Sequence, residues 1–230
     1  MTAPASVPRA VVSRDALYAS AHAAAQAGGT VADLRADAFG HGVRETARVV
    51  HEAGVPRLIV DDEAAAASLR AEGIDAVLDG VADIDGVLLY GLPGSGFAPA
   101  MSLSGRILSR KPLRTGEAVS YGYTHRALRD TTIALVTGGY AQGIPRALGN
   151  HARVGVGAEL RRVIGRVAMD VCVVDLEHVT PADGAGDDVV YFGGTGPARD
   201  ALSVWAQVTG MRATELVAVA GAKAVREWTD

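Results

Sequence analysis

Residues 57–78 read RLIVDDEAAAASLRAEGIDAVL, and this stretch decides how the first part of the chain folds. The apolar run 57–60 is typical of a strand, residues 62–71 carry the pattern of an alanine-rich helix, and 75–78 form a second apolar run. Gly73 ends the helix and leaves a short loop. Because a helix that joins two strands over short loops is typical of a βαβ unit, the stretch predicts parallel strands.

The same alternation extends upstream. A short strand at Val11-Val12, an alanine-rich helix that ends before Gly28, a β-compatible run at 31–35 and a helix at about 44–53 precede it. An apolar run at 87–90 and a glycine-rich loop close the pattern. Repeated strand and helix segments of this kind predict an α/β domain with a parallel sheet.

Downstream of residue 100 the chain changes to β-rich segments separated by turns such as 114–116 and 182–184. The segments lie at 102–109, 118–123, 132–137, 154–157, 163–176 and 189–192. This spacing predicts a small antiparallel barrel or sandwich, followed by a last helix at about 198–209. We therefore expect an α/β domain over 1–100 and a β domain over 101–230.

The composition excludes several classes of protein. Of 230 residues, 49% are hydrophobic and 21% are charged, and the net charge is −4 without a basic stripe. We therefore expect neither a nucleic acid nor a membrane as a partner, and no run of 18 apolar residues occurs. The six histidines, His178 among them, lack metal-ligand spacing, so we expect no metal site. The single cysteine, Cys172, is expected to be a buried thiol, which favours the cytoplasm.

Three stretches concentrate glycines, aromatic residues and charges more densely than a core requires. They are RADAFGHG at 35–42, VSYG at 119–122 with GGYAQG at 138–143, and GRVAMD at 165–170. In the same order, they resemble the K-A-(D/N)-A-Y-G-H-G, S-Y-G, G-Y-A-D-G and G-R-x-C-M-D elements of the alanine racemase family. The resemblance implies an N-terminal (β/α)8 barrel that holds pyridoxal phosphate, and a C-terminal β domain that completes the partner subunit's site.

The departures from the family pattern bear on the chemistry. Arg35 stands at the position of the Schiff-base lysine, and a guanidinium offers no nucleophilic amine. The family's tyrosine four residues later is Phe39, and the phosphate-contacting S-Y-R-V-P-R run is GAKAVR at 221–226. Lys111 and Lys223 are the chain's two lysines. From these losses we expect no cofactor, because pyridoxal phosphate has lost its attachment point.

A further departure concerns the length of the barrel. A (β/α)8 barrel takes about 250 residues, whereas about 100 residues precede the β domain here. Read against the family, the first three barrel strands and a segment like the last are present, so we expect a truncated half barrel. The missing part would have carried the arginine at the cofactor ring nitrogen and the arginine that grips the substrate carboxylate. An alternative role for Arg35 is to cap the open side of the shortened sheet.

At the other half of the family's site, this chain matches the family pattern. Tyr121 matches the tyrosine that exchanges the α-proton across the dimer interface, and Tyr140 matches a tyrosine at the site entrance. Met169 and Asp170 match groups near the substrate carboxylate. Structural interpretations compete with these roles: core or interface aromatics with a hydrogen-bonded hydroxyl for the tyrosines, core filling for Met169, and an ion pair between Arg166 and Asp170.

A half barrel leaves strand edges and an apolar interior uncovered, so we expect a homodimer. One hypothesis is a non-catalytic dimeric scaffold that binds a protein partner or a small amino-acid-like ligand, with Phe39 and His41 in the pocket. The alternative is a pyridoxal-phosphate-independent enzyme that reuses the Tyr121 pocket, together with Arg35, on an amino-acid-derived substrate. Residual racemisation is the least favoured function because position 35 carries no amine.

Overall fold

The computed structural model describes residues 7–177 and 187–230, which divide into two compact units. The α/β unit comprises residues 11–101, 212–222 and 226–230, and the β-barrel unit comprises 102–211, 223–225 and the described residues before 11. The predicted turn at 182–184 and His178 lie outside the described residues. The single boundary expected near residue 100 stays a prediction.

The α/β unit is built on a three-stranded parallel sheet. Strands β2 (Val31–Asp33), β3 (Arg57–Ile59) and β4 (Asp75–Val77) lie side by side in that order. The register places the three fully buried residues Ala32, Leu58 and Ala76 opposite one another. The predicted βαβ unit and its parallel strands are therefore confirmed.

Helices surround this sheet, and side chains define where several of them begin. They are α1 (Arg14–Gln26), α2 (Arg35–Phe39), α3 (Val43–Glu52), α4 (Glu63–Ala71), α5 (Gly86–Leu89) and α7 (Ala213–Lys223). Ser13 Oγ accepts a hydrogen bond from Ala16 N at 3.1 Å, and Asp62 Oδ1 accepts one from Ala65 N at 2.8 Å. These bonds satisfy amides that the first turn of a helix leaves unpaired.

The second unit is a closed barrel of six antiparallel strands. They are β5 (Met101–Leu113), β8 (Thr131–Thr137), β9 (Arg153–Val156), β10 (Glu159–Ile164), β11 (Val171–Glu177) and β12 (Asp188–Phe192). The order is β12-β9-β10-β11-β8-β5, and pairing of β12 with β5 closes the ring. The predicted β domain is thus confirmed as a barrel, with the shortened α/β unit preceding it in the sequence.

The remaining elements connect these parts. A two-strand ladder joins β6 (Ala118–Val119) to β7 (His125–Arg126), and short 3-10 turns occupy Tyr121–Tyr123, Tyr140–Gln142 and Arg146–Leu148. Helix α6 (Ala201–Thr209) packs its Trp205 ring edge-on against Phe192 of β12, with centroids 5.4 Å apart. Strands β1 (Arg9–Ser13) and β13 (Val225–Thr229) contain residues of both units. None of the helices in the described residues combines the length and the apolar character needed to cross a membrane.

Several boundaries differ from the sequence-based expectations. The apolar run 87–90 lies largely in helix α5, because Asp85 Oδ1 caps it by accepting a hydrogen bond from Val87 N at 2.8 Å. The segment 163–176 is two strands, since Gly165 adopts a φ of 70° and starts a turn between them. Helix α6 begins at Ala201 instead of 198, and α7 follows it as an additional helix.

His41 belongs to the core of the α/β unit. Its side chain is fully buried and stacks on the ring of Tyr90 with centroids 4.4 Å apart. Nδ1 lies 3.0 Å from the carbonyl oxygen of Ala38, so it carries the proton and donates, while Nε2 has no hydrogen-bond partner among the described residues. Burial lowers the pKa of His41 to about 4, against the weaker opposing effect of these backbone carbonyls.

We expect this buried imidazole to make stability depend on pH above the range where carboxylates titrate. The pKa of His41 is about 4 in the folded state and about 6.5 in the unfolded state. The contribution of His41 to the free energy of unfolding is therefore complete above about pH 6.5 and is lost as the pH falls toward 4. Urea unfolding should give a free energy about 2 kcal/mol lower at pH 5 than at pH 7.

The matched variants separate His41 from the other histidines. His41→Asn should remove most of the loss between pH 7 and pH 5, whereas His51→Asn, at an exposed position of α3, should retain it. An unchanged pH dependence in His41→Asn would contradict the assignment.

Candidate functional site

Tyr121 lies in a strained turn of the β-barrel unit. Ser120 has a φ of 68°, Gly122 of 74° and Tyr123 of 49°, so two residues with side chains adopt the left-handed region. Such a conformation costs on the order of 1–3 kcal/mol per residue and persists only where its surroundings impose it. The turn leaves the Tyr121 side chain 72% exposed.

Two hydrogen-bonded residues hold this turn against the segment that follows β10. Ser120 Oγ donates to the carbonyl oxygen of Arg166 at 2.6 Å. Asn150, with a φ of 65°, accepts from Gly165 N at 2.6 Å and donates through Nδ2 to Thr124 Oγ1 at 3.3 Å. These contacts fix both ends of the tyrosine turn to one neighbouring loop.

The other predicted residues of this half lie on the same loop or beside it. Tyr140 N donates to Ala168 O at 2.9 Å, and a Cβ at Gly139 would lie 2.2 Å from Met169 O. Glycine at 139 therefore permits a direct backbone contact. The structure thus brings Tyr140, Met169 and Asp170 to the neighbourhood of the tyrosine turn.

Two of the competing structural interpretations are wrong. Met169 is 54% exposed and does not fill a core, because it lies in the turn between β10 and β11 instead of within a strand. No ion pair joins Arg166 to Asp170 among the described residues; both side chains are exposed, and Asp170 uses its backbone oxygen to accept from Gly138 N. Tyr121 and Tyr140 are exposed rather than packed in the core, and a role as interface aromatics stays a prediction.

A cavity of about 400 Å³ lies beside the tyrosine turn. Tyr121, Tyr123 and Arg166 line it on one side, and the barrel residues Leu135 and Val173 line the other. Cys172 also contributes to its wall, but burial raises the pKa of this thiol to about 11, so it is a poor nucleophile. The cavity offers aromatic hydroxyls and a guanidinium over an apolar floor.

The second group of predicted residues lies in the α/β unit, where α2 is left-handed. Ala36, Asp37 and Ala38 have φ values of 54° to 55°, and Phe39 has 50°. A left-handed turn of L-residues costs about 1–2 kcal/mol per residue. Asp61, which follows β3, offsets this cost by accepting hydrogen bonds from the amides of residues 36 and 37 at 2.9 and 3.1 Å.

Asp37 and Arg226 connect this turn to the C-terminal segment of the same unit. The Asp37 carboxylate accepts from Val43 N at 2.7 Å and from Arg226 Nη1 at 2.7 Å. Arg226 also donates to Gly40 O at 2.8 Å. At Gly40, with a φ of 79°, a Cβ would lie 2.9 Å from the Cα of Gly221, so the two backbones meet directly.

Arg35 points its guanidinium at Asp33 as a two-pronged ion pair. Nε donates to Oδ1 at 2.9 Å and Nη2 donates to Oδ2 at 2.6 Å, while the Arg35 amide also donates to Oδ1 at 3.0 Å. Partial burial raises the pKa of Asp33, but the hydrogen bonds and charge of Arg35 outweigh it and leave that pKa below its usual value. The positive charge of Arg35 is therefore compensated by its neighbour two residues back.

Phe39 and Arg35 line a cavity of about 610 Å³, whose wall also includes Asp33 and Arg212. The Phe39 ring packs against Tyr90 with centroids 5.4 Å apart. His41, also predicted for this pocket, is buried in the core beside Tyr90 and does not line the cavity. Among the described residues, no cluster of acidic, histidine or cysteine side chains could hold a metal ion.

Arg35 and Tyr121 belong to different units, so their proposed pairing stays a prediction. Four residues that build the two halves were not anticipated: Asp33, Asp61, Asn150 and Arg226. The sequence contains one signal for the first pair, since both aspartates directly follow or end short apolar strands of a parallel sheet.

Comparisons with known proteins show which family the chain resembles. The family model described as "Alanine racemase, C-terminal domain" matches residues 100–228, which is more than half of the chain. The alanine racemase of Corynebacterium efficiens is 46% identical over 123 residues, covering 51% of this chain and 34% of that protein. The alanine racemase of Thermobifida fusca is 36% identical over 157 residues, covering 67% of this chain and 41% of that protein. The chain thus spans well under half of the length of these curated relatives.

Solved structures show the same fold at lower sequence identity. The alanine racemase from Streptomyces coelicolor A3(2) superposes with a TM-score of 0.83 at 20% identity, covering 98% of each chain. The enzyme from the D-cycloserine-producing Streptomyces lavendulae gives a TM-score of 0.84 at 21% identity, covering 100% of this chain and 98% of that one. With its sequence motifs, the matched C-terminal domain and this fold, the chain belongs to the alanine racemase family.

Proposed function

We propose that this chain is a non-catalytic relative of alanine racemase that acts as a dimeric binding protein without pyridoxal phosphate. The observation that carries the proposal is the state of Arg35, which stands where the family motif has its lysine. Its guanidinium is held on Asp33 by two side-chain hydrogen bonds of 2.9 and 2.6 Å. The ligand of such a protein would be a partner protein or a small amino-acid-like molecule.

The residues present do not fit the cofactor. A Schiff base needs a neutral amine, whereas the Asp33 carboxylate raises the pKa of Arg35 still further above its ordinary value. Phe39 has an aromatic ring but no hydroxyl. Ala222 stands where the family's C-terminal S-Y-R-V-P-R run has its tyrosine, so a second hydroxyl is absent. Arg226 already donates hydrogen bonds to the Asp37 carboxylate and to the carbonyl oxygen of Gly40. A cofactor enzyme must attach, orient and tune its cofactor, and these groups do none of the three.

Reductive trapping tests the loss of the cofactor. We expect pyridoxal phosphate and borohydride to leave no adduct at position 35 by mass spectrometry, and the protein to form no D-alanine from L-alanine. Arg35→Lys restores the amine alone, and it should remain inactive because the phosphate-binding hydroxyls are still absent. Racemisation by the unmodified chain, with an adduct on Lys111 or Lys223, would overturn the proposal.

Exposed side chains around the tyrosine turn support the dimer. Tyr121 is 72% exposed, Tyr123 70%, Met169 54% and Tyr140 48%, and they surround one loop. Contiguous exposure of large apolar groups is typical of interaction surfaces. We propose that a second copy of this chain covers this face.

Sedimentation tests the dimer through a matched pair of variants. The chain should sediment as a dimer at micromolar concentration with an interface of about 2,000 Å² or more. Tyr123→Glu should shift it toward the monomer, whereas Leu128→Glu, at a residue that is 94% exposed on the same unit, should not. A monomer that persists at every concentration would contradict this.

A second candidate function is favoured by the strain in the tyrosine turn. Positive φ angles at Ser120 and Tyr123 are retained where a tyrosine faces a cavity of about 400 Å³, and stored strain of this kind clusters at active sites. An enzyme using Tyr121 without a cofactor would hold a substrate in that cavity and move a proton at the phenol oxygen.

Tyr121→Phe separates the two candidates. A binding protein should keep its partner with an affinity within about threefold, because the ring and most of the contact area remain. An enzyme should lose turnover by about a hundredfold or more, because the proton-transferring hydroxyl is gone. Binding and turnover measured on one preparation decide which function holds.

A further inference from the structure

A third cavity, of about 450 Å³, lies on the β-barrel unit beside helix α6. Its apolar wall includes Leu160 of β10 and Val204 and Trp205 of α6, and Val204 is 43% exposed. It shares no lining residue with the cavity at the tyrosine turn. Its volume is in the range of pockets that bind small organic molecules.

Arg153 places positive charge at this cavity, and Arg162 adds to it from the neighbouring strand, where Asp175 of β11 faces Arg162 on its other side. Arg153 lines it, and the antiparallel register of β9 and β10 places Arg162 directly opposite Arg153. Like charges at facing positions destabilise a sheet. Among the described residues, neither guanidinium has a carboxylate or other hydrogen-bond partner. A bound anion would remove this repulsion.

One residue of the apolar wall has a donor without a hydrogen-bond partner among the described residues. Trp205 is 1% exposed, and its Nε1 has no hydrogen-bond partner in the part of the chain that the structure describes. Buried indole N–H groups ordinarily have a partner. Trp205 is therefore a buried aromatic residue at the cavity wall with one polar atom that is not used within the described residues.

A carboxylate on the opposite rim limits the charge of the ligand. Asp200 lines the cavity just before α6, and its side chain makes no capping hydrogen bond to the helix. Arg199 Nε lies 3.9 Å from Asp200 Oδ1. A ligand with several negative charges would be repelled by Asp200, whereas a single carboxylate can lie on the Arg153 side.

We propose that this cavity binds a monocarboxylate with an apolar body. The carboxylate pairs with Arg153 and is attracted by Arg162, and the body packs on Leu160, Val204 and Trp205. This inference concerns a site separate from the tyrosine turn and does not depend on the proposed function.

The probe is 4-phenylbutyrate, compared with 4-phenylbutylamine and 4-phenylbutanol, which share its apolar body. Trp228→Phe leaves Trp205 as the sole tryptophan, because the chain has two, so indole fluorescence reports on the cavity directly. Calorimetry on the unmodified chain provides a second measurement. We expect the acid to bind and to change Trp205 emission, and the amine to bind at least about tenfold more weakly.

Charge variants test whether Arg153 binds the carboxylate. Arg153→Gln should weaken 4-phenylbutyrate about tenfold, while Lys111→Gln, which removes the same charge from β5 outside the cavity, should change it less than about twofold. Inorganic phosphate should not displace the acid. No binding of the acid by either measurement, equal binding of the amine, or an unaffected Arg153→Gln variant would overturn the proposal.

Discussion

The carboxylate of Asp61 is the contact on which the α/β unit's candidate site depends. It accepts the amides of residues 36 and 37 and so compensates for a left-handed turn that contains no glycine. That turn directs Arg35 back toward Asp33 and Asp37 toward Arg226. Without Asp61, the amides of residues 36 and 37 would lose these acceptors, and the left-handed conformation would be less stable.

The tyrosine turn and the turn at Arg35 differ in what their side chains do. At the tyrosine turn, strained backbone at Ser120 and Asn150 occurs together with the contacts that impose it. At the other turn, left-handed backbone follows Arg35, and an ion pair with Asp33 occupies the side chain at position 35. Hydrogen bonds thus hold strained backbone at both places, while the charge of Arg35 is neutralised within the chain.

The sequence predicted the parts of the fold that periodicity and glycine positions determine. The βαβ unit at 57–78 was predictable because apolar runs and a terminating glycine bracket one helix. The run 87–90 was not, since four apolar residues fit a strand as well as a single helical turn, and the capping role of Asp85 decides between them. The exposure of Met169 and the contacts of Asp61 and Asn150 depend on neighbours that are distant in the sequence, so the local pattern does not specify these contacts.

Burial of Cys172 also determines how the protein responds to thiol chemistry. The thiolate is the reactive species, and burial raises the pKa of Cys172 to about 11, although the hydrogen bond with the Tyr191 hydroxyl acts in the opposite direction, so almost no thiolate forms near neutral pH. The Cys172 thiol of the folded chain therefore reacts slowly with alkylating and oxidising reagents. A cysteine introduced at any exposed position would be the single labelled group, so spectroscopic probes can be attached without first removing the native residue.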